Sequence, residues 1–134
     1  MKVFLGAFGD PGHAFPMLAL GEALTARGHA VTLQTWRRWE QPVTAAGIAF
    51  AAAPEYQVFP IRERPLKPYE AAVRAARETQ PQVRAAAPDV AVSDILTPAP
   101  ALAAELEGVP VATLVPHIHP DLPPGFPPYS IGAR

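Results

Sequence analysis

Two side chains suited to proton transfer each follow a hydrophobic run in this sequence. His13 comes shortly after the run 3–8, and Asp94 comes directly after the run 89–93. An imidazole beside a carboxylate can act as a general base, because the carboxylate orients the ring and stabilises its charged form. His13 and Asp94 are therefore a candidate catalytic pair if the fold brings two such distant residues together.

Both residues also have simpler interpretations. A histidine at a helix start is commonly a cap or a surface residue, and Asp94 could cap a following helix or bind turn amides. A shared position at one crevice would favour the catalytic interpretation for both. His117 and His119 could suggest a metal pair, but no third ligand is obvious nearby, so we expect no metal.

The residues between the first hydrophobic run and the first helical pattern indicate a tight turn. Gly12 removes a side chain where the backbone turns sharply or lets a ligand approach closely. Pro16 has no N–H and fits best in the first turn of a helix. The two residues predict a helix that begins near His13, with the imidazole at the edge of a sheet.

The alternation of hydrophobic patterns along the chain predicts an α/β fold. Helical crossovers between strands give a parallel sheet with helices on both faces. The usual strand order for this pattern is 3-2-1-4-5, and ligands bind where the order reverses, between strands one and four. Such a Rossmann-like, doubly wound sheet would bring His13 and Asp94 to one crevice. We predict strands at 3–8, 30–35, 48–51, 89–93 and 109–115, and helices at 14–27, 36–46, 69–86 and 98–107.

Prolines interrupt this pattern in three places. Four prolines break the stretch 54–68, and a connection of this length is usually functional or mobile. Pro81 predicts a kink, or a break between two short helices. Six more prolines lie within 116–128, close to the end of the sequence.

The composition bounds the class of protein. The 134 residues suffice for one domain, and 49% hydrophobic with 17% charged residues exclude a disordered chain. A net charge of −1 gives no reason to expect nucleic acid or an acidic membrane as a partner. The absence of cysteine excludes disulfides and thiolate chemistry. Without a secretory signal or an apolar run of about 18 residues, we expect a soluble, cytoplasmic protein.

Several segments together carry a family resemblance. The run Gly12–Leu20, followed by Leu24–Thr32, resembles the opening of GT-B glycosyltransferases of family 1. The segments 89–94, 101–106 and 108–110 match the second half of the same N-terminal, acceptor-binding domain. The resemblance covers nearly the whole chain.

The resemblance implies an inverting transfer of sugar from a nucleotide sugar to a hydroxyl of a small, apolar acceptor. The matching histidine of the family removes the acceptor's proton and the matching aspartate partners it, which assigns these roles to His13 and Asp94. The donor would be a UDP- or dTDP-sugar that acts as a co-substrate, with no tightly bound cofactor and no metal. Gly12 would lie near the donor phosphates.

The acceptor pocket would be built from loops at the carboxyl ends of the strands. Aromatic residues in such loops often pack back onto the sheet, which is the simpler interpretation of each candidate. The candidates are Phe15, Tyr56, Phe59, Leu96, His117 and Ile118.

The family also implies a second, C-terminal domain that holds most of the donor. We expect residues 1–134 to form only the N-terminal domain, with 116–134 as a proline-rich terminal segment. The donor domain would then be missing from a truncated chain, or carried by a second chain of a split enzyme. Alone, this half should be inactive, and its exposed apolar face should favour a homodimer.

Two other classes of function remain open. Gly6, Gly9 and Gly12 have the spacing of an NADP-binding Rossmann domain, and Arg37-Arg38 could hold a 2′-phosphate. Against this, a helix that starts near Gly9 would contain Pro16, and the sequence ends before a Tyr-x-x-x-Lys pair. Arg37-Arg38 could equally be a solvated helix start. The third class is a non-catalytic α/β binding module that uses the aromatic loop and the proline-rich segment.

Overall fold

The computed structural model describes residues 1–54 and 68–116. It has a five-stranded, all-parallel sheet in the order β3-β2-β1-β4-β5 with helices packed around it, so the predicted fold class and strand order are confirmed. The strands are β1 (Lys2–Gly6), β2 (Ala30–Thr35), β3 (Ala49–Ala52), β4 (Val90–Asp94) and β5 (Val111–Leu114). The helices are α1 (Pro11–Ala26), α2 (Glu40–Ala45, preceded by a 3-10 turn at Arg37–Trp39), α3 (Pro68–Ala86) and α4 (Ala99–Leu106).

The sheet separates two hydrophobic cores. Successive side chains of a strand point to opposite faces, so β1 contributes Val3 and Leu5 to one core and Phe4 to the other. The first core also contains Met17 of α1, and the second contains Val83 of α3. Because β1 is central and covered on both faces, its nearly continuous apolar sequence is the expected one.

The first helix begins two residues earlier than its sequence pattern suggests. Asp10 is its N-cap and accepts a hydrogen bond from the Gly12 N–H at 2.7 Å, and Pro11 occupies the first helical position. The predicted start near His13 is therefore wrong, and Pro16 lies inside the helix rather than in its first turn. The argument from Pro16 against an NADP-binding domain fails for the same reason.

Helix α3 is one helix of 19 residues that contains Pro81, so of the two alternatives for this proline the break between two short helices is wrong. Buried residues lie on both sides of the proline: Ala75, Ala76 and Thr79 before it and Val83 after it. Pro81 itself is exposed. Tertiary packing therefore holds the two halves on one continuous helix despite the missing hydrogen bond.

A buried polar link connects α3 to the carboxyl ends of two strands. The Gln34 Nε2 of β2 donates to Thr79 Oγ1 at 3.1 Å and to Gln82 Oε1 at 2.8 Å. The Gln82 Nε2 in turn donates to the Ala52 carbonyl at the end of β3, at 3.0 Å. Gln34 and Thr79 are both buried, so these bonds satisfy groups that would otherwise be costly to bury.

The two proline-rich stretches lie largely outside the described residues, which include only Pro54, Pro68 and Pro116 from their ends. Within 1–54 and 68–116, none of the helices has the length and apolar character needed to cross a membrane. The same ranges contain no cluster of three or more His, Asp or Glu side chains that could bind a metal ion.

Candidate active site

His13 and Asp94 meet at the edge of the sheet where β1 and β4 lie side by side. The pairing of Gly6 with Ser93 places the two strand ends next to each other. His13 lies in the first turn of α1, and its Nδ1 is 2.7 Å from Asp94 Oδ2 and 2.9 Å from Oδ1. The fold therefore brings together the two residues that the sequence selects as a pair.

Both members of this pair are buried, and Asp94 has further partners. The exposed fraction is 6% for His13 and 1% for Asp94. Besides the imidazole, the carboxylate accepts the backbone N–H of Leu96 at 2.9 Å and that of Phe8 at 3.4 Å. Ionised carboxylates are acceptors only and can hold several donors at once. The loops after β1 and β4 thus hold the Asp94 carboxylate in place, and Nδ1 of the His13 ring faces it.

The simpler interpretation of Asp94 is correct in one respect. Its contact with the Leu96 amide is a turn bond of the kind expected for an aspartate after a strand. It does not cap α4, whose N-cap is Pro98. The same carboxylate therefore shapes the loop after β4 and contacts the imidazole.

The turn before His13 is held by the segment that follows β2. The Gly9 carbonyl accepts N–H groups from Arg38 Nε at 3.0 Å, from Arg38 Nη2, and from Trp39 Nε1 at 2.9 Å. A Cβ at Gly9 would lie 2.0 Å from the Trp36 ring, so no larger residue fits there without movement. Sequence reasoning missed these contacts, although two tryptophans flanking two arginines at residues 36–39 are a signal of a packed segment.

Aromatic rings surround the same turn. Phe8 meets Trp36 edge-on at 5.0 Å between centroids and approaches the His13 ring at 6.1 Å and 90°. The Arg38 guanidinium lies 4.9 Å from the centre of the Trp36 ring. Edge-to-face pairs and stacked guanidinium groups are favourable arrangements for these side chains. The imidazole thus has a rigid apolar neighbour on one side and a carboxylate on another.

The predicted acceptor residues divide into described and undescribed groups. Phe15 packs edge-on against Trp39 at 4.9 Å, yet 58% of it is exposed. Leu96 is 54% exposed, and its backbone N–H is the one bonded to Asp94. The other four candidates, Tyr56, Phe59, His117 and Ile118, lie outside the described residues. The Gly12 N–H is engaged by Asp10, so its expected place near donor phosphates stays a prediction.

The glycine spacing that suggested an NADP-binding domain has a packing explanation. A Cβ at Gly6 would lie 2.2 Å from the Pro100 side chain, and Gly9 faces Trp36 in the same way. Arg38 is engaged by the Gly9 carbonyl. The carboxylate of Asp10 caps the N-terminus of α1. Gly6 therefore allows β1 to pack against α4, whereas Gly9, Asp10 and Arg38 serve the fold of the turn.

Comparison with known proteins gives one sequence relative of note. No family model matches the chain. An L-demethylnoviosyl transferase of Streptomyces niveus is 33% identical over a 141-position alignment, which covers 93% of this chain and 36% of that protein. The chain thus spans about a third of the length of the curated relative that it matches.

Solved structures give the same result at the level of the fold. The glycotransferase of kitacinnamycin is 27% identical with a TM-score of 0.62, and the match covers 85% of this chain and 30% of that one. The Streptomyces sp. SF2575 glycosyltransferase SsfS6, solved with thymidine diphosphate, is 22% identical with a TM-score of 0.63, and the match covers 84% and 38%. At this lower identity the likeness concerns the fold alone.

Proposed function

The chain is related in sequence and fold to the N-terminal part of GT-B glycosyltransferases of family 1, and we propose that it forms the acceptor-binding domain of an inverting glycosyltransferase. In the proposed reaction a hydroxyl oxygen of a small, apolar acceptor attacks the anomeric carbon of a nucleotide sugar. The bond from that carbon to the diphosphate breaks, and the nucleoside diphosphate leaves with the bonding electrons. The configuration at the anomeric carbon is inverted.

His13 is the general base of this proposal. Its Nδ1 faces Asp94, so Nε2, on the opposite side of the ring, is the nitrogen that takes the acceptor's proton. The carboxylate holds the tautomer with the proton on Nδ1 and stabilises the imidazolium that forms. A general base of this kind contributes about 10²–10⁴-fold in rate. The observation that carries the proposal is the 2.7 Å contact between two buried side chains at the strand ends.

The surroundings of Asp94 support this role. Two backbone N–H groups, from Phe8 and Leu96, hold the carboxylate before any substrate arrives. The base is therefore oriented in advance, and its geometry does not have to be organised during the reaction. A carboxylate that only shaped a turn would not need a buried imidazole as a further partner.

The acceptor would lie over the exposed apolar side chains beside the pair. Phe15 on α1 and Leu96 after β4 are exposed although both are large and hydrophobic. We propose that they contact an apolar acceptor, together with the predicted residues Tyr56, Phe59, His117 and Ile118. Concave apolar surfaces with a few polar groups are the usual form of such sites.

The donor would be a UDP- or dTDP-sugar, used without a metal. One structural neighbour was solved with thymidine diphosphate, which supports a nucleotide of this class. A C-terminal domain or a second chain would supply most donor contacts, and Gly12 would lie near the phosphates. We expect residues 1–134 alone to transfer no sugar, and the completed enzyme to work in the cytoplasm.

The test is reconstitution with the donor half of a relative, followed by an assay of acceptor glycosylation. We expect His13→Ala to lower turnover by about 10²–10⁴-fold while donor binding, measured by calorimetry, stays unchanged. His29→Ala is the matched control, because that histidine lies beyond the far end of α1 and approaches the N-terminal amine.

Two results would contradict the proposal. Unchanged turnover of the His13→Ala enzyme would remove His13 from the mechanism. Saturable binding of NADPH to the chain would favour an NADP-binding domain instead.

A further inference from the structure

The turn at residues 8–10 fixes both members of the catalytic pair. The N–H of Phe8 donates to Asp94, and the carboxylate of Asp10 caps the helix that carries His13. A displacement of this turn would therefore move the imidazole and its acceptor relative to each other. The turn lies between β1 and α1, and the side chains that hydrogen-bond to its Gly9 carbonyl come from outside these two elements.

Arg38 provides that support from the other neighbouring strand. It lies in the 3-10 turn after β2, on the opposite side of β1 from β4. Its Nε and Nη2 both donate to the Gly9 carbonyl, where Trp39 adds a third N–H. The fork of a guanidinium group holds an oxygen in a defined direction, which the single ammonium of lysine does not.

A second line of contacts runs from Arg38 to the ring of His13. The guanidinium lies over Trp36, Trp36 meets Phe8 edge-on, and Phe8 meets the imidazole at 90°. The missing side chain of Gly9 leaves the space that the Trp36 ring fills. Arg38 is thus connected to His13 in two ways, through the Gly9 carbonyl and through the edge-on contacts of the Trp36 and Phe8 rings.

We propose that Arg38 is a positioning residue for the His13–Asp94 pair, which it keeps in hydrogen-bonding distance by holding the Gly9 carbonyl. The proposal rests on the proposed function for its catalytic meaning. The contacts from which it is argued all lie within this chain.

The test is nuclear magnetic resonance of the histidine rings in the chain itself. The ring signals of His13 are assigned by their loss in His13→Gln, and exchange of its Nδ1 proton with water is measured. We expect Arg38→Gln to speed that exchange about tenfold, because the contact with Asp94 opens more often. Arg38→Lys should recover part of the effect. Arg37→Gln is the matched control, since it removes the same charge from the neighbouring exposed residue and should leave exchange unchanged.

Three outcomes would overturn the proposal. The first is equal exchange of the His13 ring proton in wild type and in Arg38→Gln. The second is an effect of Arg37→Gln equal to that of Arg38→Gln. The third is unfolding of both Arg38→Gln and Arg38→Lys, seen by circular dichroism, which would make Arg38 a residue needed for folding only. The measurement of His13 ring-proton exchange needs no sugar transfer. A reconstituted enzyme without activity would therefore refute the proposed function, and the exchange rates would still test the role of Arg38.

Discussion

A single buried carboxylate joins two loops and one helix in this domain. Asp94 accepts hydrogen bonds from a ring nitrogen and two amides, all of which would lose their partner if it were removed. Unsatisfied buried groups cost about 1–3 kcal/mol each, so the two loops and the orientation of the His13 ring depend on the same side chain. Asp10 likewise links two elements, because its carboxylate caps α1, the helix that carries His13.

Replacement of Gly9 tests how tightly the turn is packed. We expect Gly9→Ala to lower the free energy of unfolding by about 1–3 kcal/mol, because its Cβ would overlap the Trp36 ring. Gly12→Ala is the control, since its Cβ would meet only the end of the short Asp10 side chain, at 3.1 Å, and its effect should stay within about 0.5 kcal/mol. Urea unfolding measures both. Equal stability of the two variants would show that the turn can move to admit a side chain.

At the level of single residues, the sequence reveals the His13–Asp94 pair but not the contacts that surround it. His13 and Asp94 can be selected because each follows a hydrophobic run at a place where parallel strands end together. The bonds to the Gly9 carbonyl could not be selected, since a backbone acceptor leaves no mark in the sequence and its donors come from a separate connection. The predicted place of Pro16 is wrong because Asp10 and Pro11 already supply a cap and a first helical residue, which puts Pro16 in the helix interior.

Helices α3 and α4 show how elements are joined on one face of the sheet. Arg84 Nε of α3 lies 2.8 Å from Glu107 Oε1, just after α4, and Gln80 donates to the same oxygen. Two hydrogen bonds hold the pKa of Glu107 below its ordinary value of 4.5. The bond from Arg84 has the larger effect and the bond from Gln80 the next largest. The ion pair of Arg84 and Glu107 therefore stabilises the fold only while Glu107 is ionised.

Acid should weaken this connection between helices. A carboxyl with a lowered pKa contributes its full stability above the unfolded value of about 4.5, and the contribution disappears as pH falls through the lower folded value. We expect the Tm of Glu107→Gln to depend less on pH than that of wild type below about pH 4.5. Thermal unfolding followed at several pH values measures the difference. Parallel curves for the two proteins would contradict the coupling.

Element types follow well from hydrophobic periodicity, whereas element ends do not. The apolar run 3–8 predicted a strand, but β1 ends at Gly6. Ala7 still donates to the Gln34 carbonyl, and Phe8 then turns to face Trp36 and Asp94. Hydrophobicity alone cannot distinguish a residue that continues a strand from one that packs in the turn after it.

The molecule as a whole presents large apolar side chains near the candidate site. Phe15, Ile95, Leu96 and Val115 are each 48–58% exposed. Exposed apolar groups of this kind often mark a surface that another protein or a ligand covers. In the proposed enzyme, a donor-binding half and an acceptor would cover this surface, and the chain by itself would leave it open to water.

Self-association of the chain checks this interpretation. We expect a sedimentation coefficient that rises with protein concentration, as a homodimer forms through the exposed apolar surface. Leu96→Asp should restore the monomer, whereas Leu106→Asp, a change at the exposed end of α4, should leave association unchanged. A monomer at all concentrations would contradict the prediction.

The link from Gln34 through Gln82 to Ala52 has an evolutionary consequence. It joins the end of β3 to the second half of α3 through described residues, so this connection does not depend on what lies between the two borders of segment 55–67. Insertions, deletions and replacements between these borders would then leave the sheet and the His13–Asp94 pair intact. In the proposed enzyme, new acceptor preferences would thus be acquired by exchanging one peptide while the His13–Asp94 pair is kept without change.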